Sequence, residues 1–228
     1  MKHSGKARKA AFKLILISFI AVGMVLAIGV FAAFIGAVIV AVTPFLAVFW
    51  LVFALFTLYF FRDPNARVPI GANLVLSPAH AKVDVVDTTT EPQVMGGECQ
   101  RISMFLSVLD VHVQKAPVSG KVSFLKYTTG QFLNALKTES AIHNENVLMG
   151  FEAAEPRGQK LGVRLVAGVL ARRIVPWVEK DDEVVCGERI SLIQFGSRAE
   201  VYLPLNAKIK VKPGDRVVGG ETVIALLE

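Results

Sequence analysis

Charge is almost missing from one stretch of this 228-residue chain: between Ala11 and Phe61 the only charged residue is Lys13. That excludes a water-soluble beginning to the molecule. The run is also far longer than the ~7–15 apolar residues of a secretory signal. At ~1.5 Å per residue, a helix over it reaches roughly 75 Å, against ~30 Å for the hydrocarbon core of a bilayer. The length therefore suits two crossings. Thr43-Pro44 is the natural break, because proline disfavours helix at the residue before it. The sequence predicts a basic tail over 1–13, a membrane anchor over 14–61 made of two helices that part near Pro44, and a separate domain over 62–228. Trp50, Tyr59, Phe60 and Phe61, followed by Arg62, place aromatic and basic residues at the end of the second span, as the headgroup region favours.

Cysteine is equally scarce. Cys99 and Cys186 stand far apart and match no metal-ligand spacing. A disulfide framework and a cysteine metal site are both excluded, and two reduced thiols fit a cytoplasmic domain. The net charge of +6 does not signal a nucleic-acid surface. Lys2, Lys6, Arg8, Lys9 and Lys13 all precede the first span, and the rest of the chain is close to neutral. Positive residues stay on the cytoplasmic side. Two crossings would return the domain to that side, so the expected location is the cell membrane with the domain in the cytoplasm.

After Arg62 the pattern changes. Short runs rich in Val, Ile and Leu alternate with Gly, Pro, Asn and Asp, as in Lys82–Val86, Ile102–Val108, Val122–Lys126, Gly162–Ala167, Glu188–Gln194, Ala199–Leu203, Ala207–Val211 and Glu221–Leu227. This is strand-and-turn punctuation. Periodicity leaves Ala167–Ile174 open between a short helix and a strand. A weak repeat runs through Pro78-Ala-His-Ala-Lys82-Val83, Pro117-Val-Ser-Gly-Lys121-Val122 and Pro204-Leu-Asn-Ala-Lys208-Ile209, each entering a strand through a tight turn. The fold expected is a mainly β (α+β) domain with barrel-sandwich-like hairpins behind a transmembrane helical hairpin.

The sharpest local signal is Phe195-Gly196-Ser197-Arg198, between two strand-like runs. Alone, it reads as a bend in a β-hairpin. Its surroundings say more. Phe60-Phe61-Arg62-Asp63-Pro64, the segment Arg101 to Gly120 around His112, Ala167-Gly168-Val-Leu-Ala171-Arg172-Arg173-Ile174, the segment Gly187 to Pro204, and Gly214-Asp215 with Gly219-Gly220-Glu221-Thr222 follow in order over some 165 residues. Together they resemble the phosphatidylserine decarboxylase family in its short bacterial and archaeal branch.

The resemblance implies a self-cleaving proenzyme. Ser197 Oγ attacks the Gly196 carbonyl, the resulting ester eliminates, and residue 197 loses ammonia to become a pyruvoyl group. That ketone is the cofactor, taking up the amine of phosphatidylserine and serving as electron sink while carbon dioxide leaves. Glycine leaves its carbonyl open, and serine brings the nucleophile. His112 is the implied acid–base residue, with Asp110 on the same face if the segment is extended. Arg172, Arg173 and Arg198 are candidates for the lipid phosphate. Adjacent strand residues face opposite ways, so one of Arg172 and Arg173 serves. The implied partners are the membrane, the phospholipid, the chain's own fragment 197–228 and a second copy in a homodimer, with no nucleic acid and no metal.

One departure stands out. The family's Ser-Pro-Ala-Asp-Gly-Lys-Val reads here Ser77-Pro78-Ala79-His80-Ala81-Lys82-Val83. His80 replaces the aspartate that assists self-cleavage; an imidazole can act as a base but carries no fixed negative charge. Asn144-Glu145-Asn146 likewise lacks the family's arginine. Two other readings remain: a homologue that no longer cuts itself, and a tethered lipoyl-like hairpin built on Val211–Val223.

Overall fold

A computed structural model describes residues 6–131, 143–168, 173–194 and 197–228. The chain divides into two units, Met1–Thr57 and Leu58–Glu228.

The first unit is helical. Helix α1 (Lys6–Phe60) carries straight through Pro44, so the break predicted at Thr43-Pro44 is absent. A proline removes one donor from the helical ladder. Apolar helices tolerate that loss where a hydroxyl near the kink engages the local backbone, and Thr43 Oγ1 donates to the Ile39 carbonyl at 2.7 Å. Large apolar side chains such as Phe19, Val30, Val40 and Phe49 are exposed on all faces. A helix apolar all round belongs in lipid, and Phe12–Phe60 is long and apolar enough to cross a membrane.

The second unit is β-structure. Its strands are β1 (Leu74–Leu76), β2 (Ala81–Glu91), β3 (Gly97–Leu106), β4 (Val113–Lys115), β5 (Gly120–Thr128), β6 (Asn146–Ala153), β7 (Lys160–Ala167), β8 (Arg173–Pro176), β9 (Glu183–Val184), β10 (Arg189–Gln194), β11 (Ser197–Leu203), β12 (Lys208–Ile209), β13 (Arg216–Val217) and β14 (Val223–Leu226). They form an eight-stranded sheet in the order β13-β2-β3-β11-β7-β6-β5-β9, and two three-stranded sheets, β4-β10-β8 and β1-β14-β12. The named strands pair antiparallel throughout.

The proline repeat sits where its shape predicts. Pro78, Pro117 and Pro204 each stand just before a strand, β2, β5 and β12 respectively. Proline pre-sets the turn and has no donor to lose there. The expected strand Ile102–Val108 ends early, at Leu106, and the chain turns over 107–110. Arg173–Pro176, in the ambiguous stretch, is the strand β8.

Alternation along the central strands sets their two faces. Ile102, Met104 and Leu106 of β3, Ala199, Val201 and Leu203 of β11, and Val163, Leu165 and Ala167 of β7 build the apolar core. The opposite face of β11 carries Arg198, Glu200 and Tyr202, and all seven residues of this strand are buried.

The order of strands in two sheets places the site. β3, β11 and β7 are neighbours in the large sheet, and β4, β10 and β8 are neighbours in a small one, in matching order. The chain passes between these sheets three times, from β3 to β4 over 107–112, from β7 to β8 after Gly168, and from β10 to β11 before Ser197. Ser197 opens β11, the middle one of the three neighbouring strands in the large sheet.

Candidate active site

Gly196 and Arg172 lie outside the described residues. Ser197 opens β11, opposite Leu106 of β3 and Ala167 of β7. Its side chain is fully buried, and its Oγ has no hydrogen-bond partner among the described residues. A buried, unsatisfied hydroxyl costs about 1–3 kcal/mol. Such a group calls for an explanation, and a role in chemistry is one. A hydroxyl without a partner among the described residues, at the first residue of a strand held on both sides, fits conversion of residue 197 into a chain-terminal pyruvoyl group. Loss of the peptide bond before it leaves the strand's own pairing intact.

His112 closes the neighbouring connection. Its carbonyl accepts from Ile193 N at 3.1 Å and from Gln114 Nε2 at 2.7 Å. Leu106, at the other end of the same connection, pairs with Ser197. The 107–112 segment is thus tied at both ends to residues that flank 195–196. The imidazole is fully buried and lies against Phe60, with ring centroids 4.3 Å apart. Its Nδ1 is 2.9 Å from the Asp110 carbonyl. A carbonyl only accepts, so Nδ1 holds the proton and Nε2 the basic lone pair. Burial pushes its pKa down to about 4, against smaller opposing effects of the Asp110 carbonyl and charge. At neutral pH the ring is uncharged.

Asp110 does not share a strand face with His112, because residues 107–110 form a turn. Its carboxylate caps that turn, with Oδ2 accepting from Ser107 N at 2.8 Å. Its Oδ1 pairs with Arg216 at 3.2 Å. It reaches His112 through its carbonyl and its charge rather than through a carboxylate hydrogen bond.

His80 lies in the turn before β2. Its Nδ1 accepts from Gly219 N at 3.3 Å, which leaves the proton of the neutral ring on Nε2. Burial lowers its pKa, Asp110 and Glu221 oppose this, and Arg62 and Lys115 add to it. His80 and His112 both respond to Asp110 and Arg62, so the two imidazoles share one electrostatic neighbourhood. His80 here is a neutral donor, unlike the carboxylate it replaces.

The segment after the helix forms the rest of the wall. Arg62 Nη2 donates to the Leu109 carbonyl at 2.6 Å, and Tyr59 Oη donates to the same oxygen at 3.3 Å. Asp63 bonds to buried Lys115 at 3.1 Å and to Arg189. Burial alone would raise the Asp63 pKa; hydrogen bonds from Arg189 and Lys115 outweigh it and hold the carboxyl below its usual range. The sequence places Phe60, Phe61 and Arg62 at the headgroup level, and only the fold joins Asp63 to Lys115 and Arg189, which lie far away along the chain.

The arginines separate. Arg198 is fully buried and makes a two-pronged pair with Asp84, at 2.8 and 2.6 Å, and a bond to Ser103 Oγ at 2.6 Å. A guanidinium held this way braces β11 from the face opposite Ser197 and is not placed to receive a lipid phosphate. The physical reason is alternation: residue 198 faces away from residue 197. Arg173 is exposed and pairs with Gln194 at the end of β10, beside the 195–196 connection. Asn144, another residue to which sequence reading gives no role, donates from Nδ2 to the Ala167 carbonyl at 2.7 Å and so steadies the strand on the other side of Ser197. Among the described residues, no group of three His, Cys, Asp or Glu side chains is arranged to hold a metal.

Two outcomes are expected. Asp84→Asn leaves the Arg198 charge buried without its counter-ion. Breaking a buried pair costs about 3–5 kcal/mol, and the partial exposure of Asp84 argues for the low end. Thermal melting of Asp84→Asn beside Ser103→Ala, which removes the lesser contact, checks this; equal small losses would overturn it. The second concerns pH. An unfolded histidine titrates near 6.5, while His112 titrates at about 4 when folded. Its folded pKa is depressed, so its contribution is whole above pH ~6.5 and falls away as pH drops to about 4, by an order-of-magnitude total of about 3 kcal/mol. Stability of the detergent-solubilised protein at pH 7.5 and pH 4.5 is the measurement. His112→Gln must flatten that dependence, and an unchanged slope would sink the assignment.

Comparison with known proteins agrees with this geometry. The family model described as phosphatidylserine decarboxylase matches residues 53–225. The chain is 43% identical over 169 residues to a phosphatidylserine decarboxylase proenzyme of Desulfotalea psychrophila, covering 74% of this chain and 78% of that one. It is 41% identical over 200 residues to the proenzyme of Symbiobacterium thermophilum, covering 85% and 92%. It is 42% identical over 183 residues to that of Geobacter metallireducens, covering 80% and 83%. A match that runs from the end of the helix to the last strand shows that the chain belongs to the phosphatidylserine decarboxylase family.

Proposed function

We propose that this protein is a self-cleaving, pyruvoyl-dependent decarboxylase that converts phosphatidylserine to phosphatidylethanolamine at a membrane. The observation that carries the reading is the buried Ser197 hydroxyl, without a partner among the described residues, at the first residue of β11 between β3 and β7.

The chain's own residues account for the first step. His112 Nε2 takes the Ser197 Oγ proton as Oγ adds to the Gly196 carbonyl. The C–N bond breaks as the proton passes to the amide nitrogen, and residue 196 becomes an ester on Oγ. Removal of the Cα proton of residue 197 then expels the Gly196 carboxylate, and water replaces the nitrogen of the remaining enamine with loss of ammonia. His80 offers an Nε2 proton in the same neighbourhood, in place of the family's carboxylate. Once formed, the pyruvoyl ketone supplies the electron sink for loss of carbon dioxide from the bound serine headgroup. Arg173 stands beside the connection as the candidate phosphate ligand. The fragment 197–228 stays with the body of the domain, through β11 between β3 and β7 and β14 between β1 and β12.

The alternative of a lipoyl-like tethered module accounts for Val211–Val223 alone and gives the rest of the matched chain no purpose. Mass measurement under denaturing conditions decides between a processed enzyme and a dormant homologue. Two fragments are expected, the smaller beginning at residue 197 with a blocked N-terminus, alongside carbon dioxide release. Ser197→Ala yields one intact mass and no release. An intact wild-type chain, or an active Ser197→Ala protein, would overturn the reading.

For location, the helix itself gives an argument. A straight helix over Phe12–Phe60 (49 residues) measures about 74 Å, and tilts of up to ~40° leave it well beyond the ~30 Å core. In a bilayer we expect it to fold back at Pro44, which puts the basic tail and the domain together in the cytoplasm. The free thiols of Cys99 and Cys186 support that side. Protease added to spheroplasts should spare the domain, and protease added to inside-out vesicles should remove it. The reverse pattern would place the domain outside.

A further inference from the structure

Leu109 is an exposed leucine in an otherwise tightly held turn. The turn Ser107–Asp110 is closed by Asp110 N donating to the Ser107 carbonyl at 2.9 Å and by Asp110 Oδ2 accepting from Ser107 N at 2.8 Å. Its tip carbonyl, that of Leu109, takes two donors from the end of the apolar run, Arg62 and Tyr59. Yet the Leu109 side chain is 57% exposed. A lone exposed leucine means little. This one has exposed aromatic neighbours along the chain that grips it: Tyr59 at 47% and Phe61 at 40%. Arg62 stacks on the Tyr59 ring at 3.9 Å. Aromatic and basic residues at the end of an apolar span mark the headgroup level, so the residue bonded to them sits at that level too. On the other side of the turn, Arg216 pairs with Asp110 but keeps a side chain that is 72% exposed. An exposed ion pair of this kind is weak and exchanges readily for a phosphate.

We propose that the Ser107–Asp110 turn is a bilayer-docking element: Leu109 enters the headgroup–acyl boundary of an anionic membrane while Arg62 and Arg216 face the lipid phosphates. The same turn leads directly into His112. Docking therefore sets the depth of the catalytic connection against the serine headgroups, independently of the helical anchor, whose length alone fixes no depth. The inference rests on the reading of the protein as a membrane lipid decarboxylase and adds to it the surface that meets the lipid.

The experiment uses the full-length chain. Leu109→Cys in a Cys186→Ser background is labelled with an environment-sensitive nitrobenzoxadiazole probe, Cys99 being buried. The protein is reconstituted into vesicles of phosphatidylcholine and phosphatidylserine. Blue-shifted emission, quenched by lipids carrying a shallow acyl-chain nitroxide, is expected. A probe at Lys180→Cys, on the exposed turn before edge strand β9, should report water. A water-exposed, unquenched probe at position 109 overturns the proposal. Kinetics add a second readout. Leu109→Asp should raise KM for bilayer phosphatidylserine about tenfold, the equivalent of a lost interfacial leucine, with kcat little changed. A fall in kcat at constant KM would mean that the turn serves only to hold His112, and would also overturn it. Fragment masses are recorded for each variant. Normal cleavage with a water-exposed probe defeats the docking element alone, whereas absent cleavage in the wild type defeats the enzymatic reading beneath it.

Discussion

Ser197 is paired on both sides of its backbone, to Leu106 on β3 and to Ala167 on β7, and the site depends on that double register. A slip of one residue in a strand exchanges its faces. Here it would drive the Arg198 guanidinium into the apolar core and turn the Ser197 hydroxyl to the polar face. Arg198 prevents this through Asp84 and Ser103. The pair earns its place less by adding stability than by making the alternative register expensive, since a charge without its partner is costly in the interior.

Burial then tunes the chemistry. The Ser197 hydroxyl has no partner among the described residues, and burial strips water from His112 and holds it neutral. Phe60 supplies one face of that enclosure. The residues that follow it fasten the wall to the domain, through Arg62 on the Leu109 carbonyl and Asp63 between Lys115 and Arg189. The end of the apolar run is therefore packed into the wall around His112.

His80 shows how such a site accommodates change. A carboxylate at this position would bring negative charge into the electrostatic neighbourhood that the two histidines share. The imidazole brings none, and its Nδ1 is engaged by Gly219 N. Asp110 is the acid whose charge both histidines feel. The position still provides a polar group with a proton to share, but the electrostatic support comes from a different residue.

Much of this was legible along the chain. Absence of charge over 11–61 marks the apolar helix, because lipid and water select opposite side chains. Alternation and proline turns mark strands, and short blocks around His112 and Gly196-Ser197 carry the family resemblance. Local signals failed where the answer lay in distant partners. Pro44 reads as a break, while the structure carries one long helix through it. Asp110 reads as a companion carboxylate on an extended strand, yet a turn directs its carboxylate to Ser107 N and Arg216. Arg198 reads as a phosphate ligand, yet Asp84 occupies it. The membrane segment and the strand-rich domain follow from local composition and spacing along the chain, while Gly196-Ser197 stands out only through the family resemblance of the blocks around it. Only the tertiary structure decided which side chains meet, because strands far apart in the chain are brought into register by a shared core that no single segment encodes.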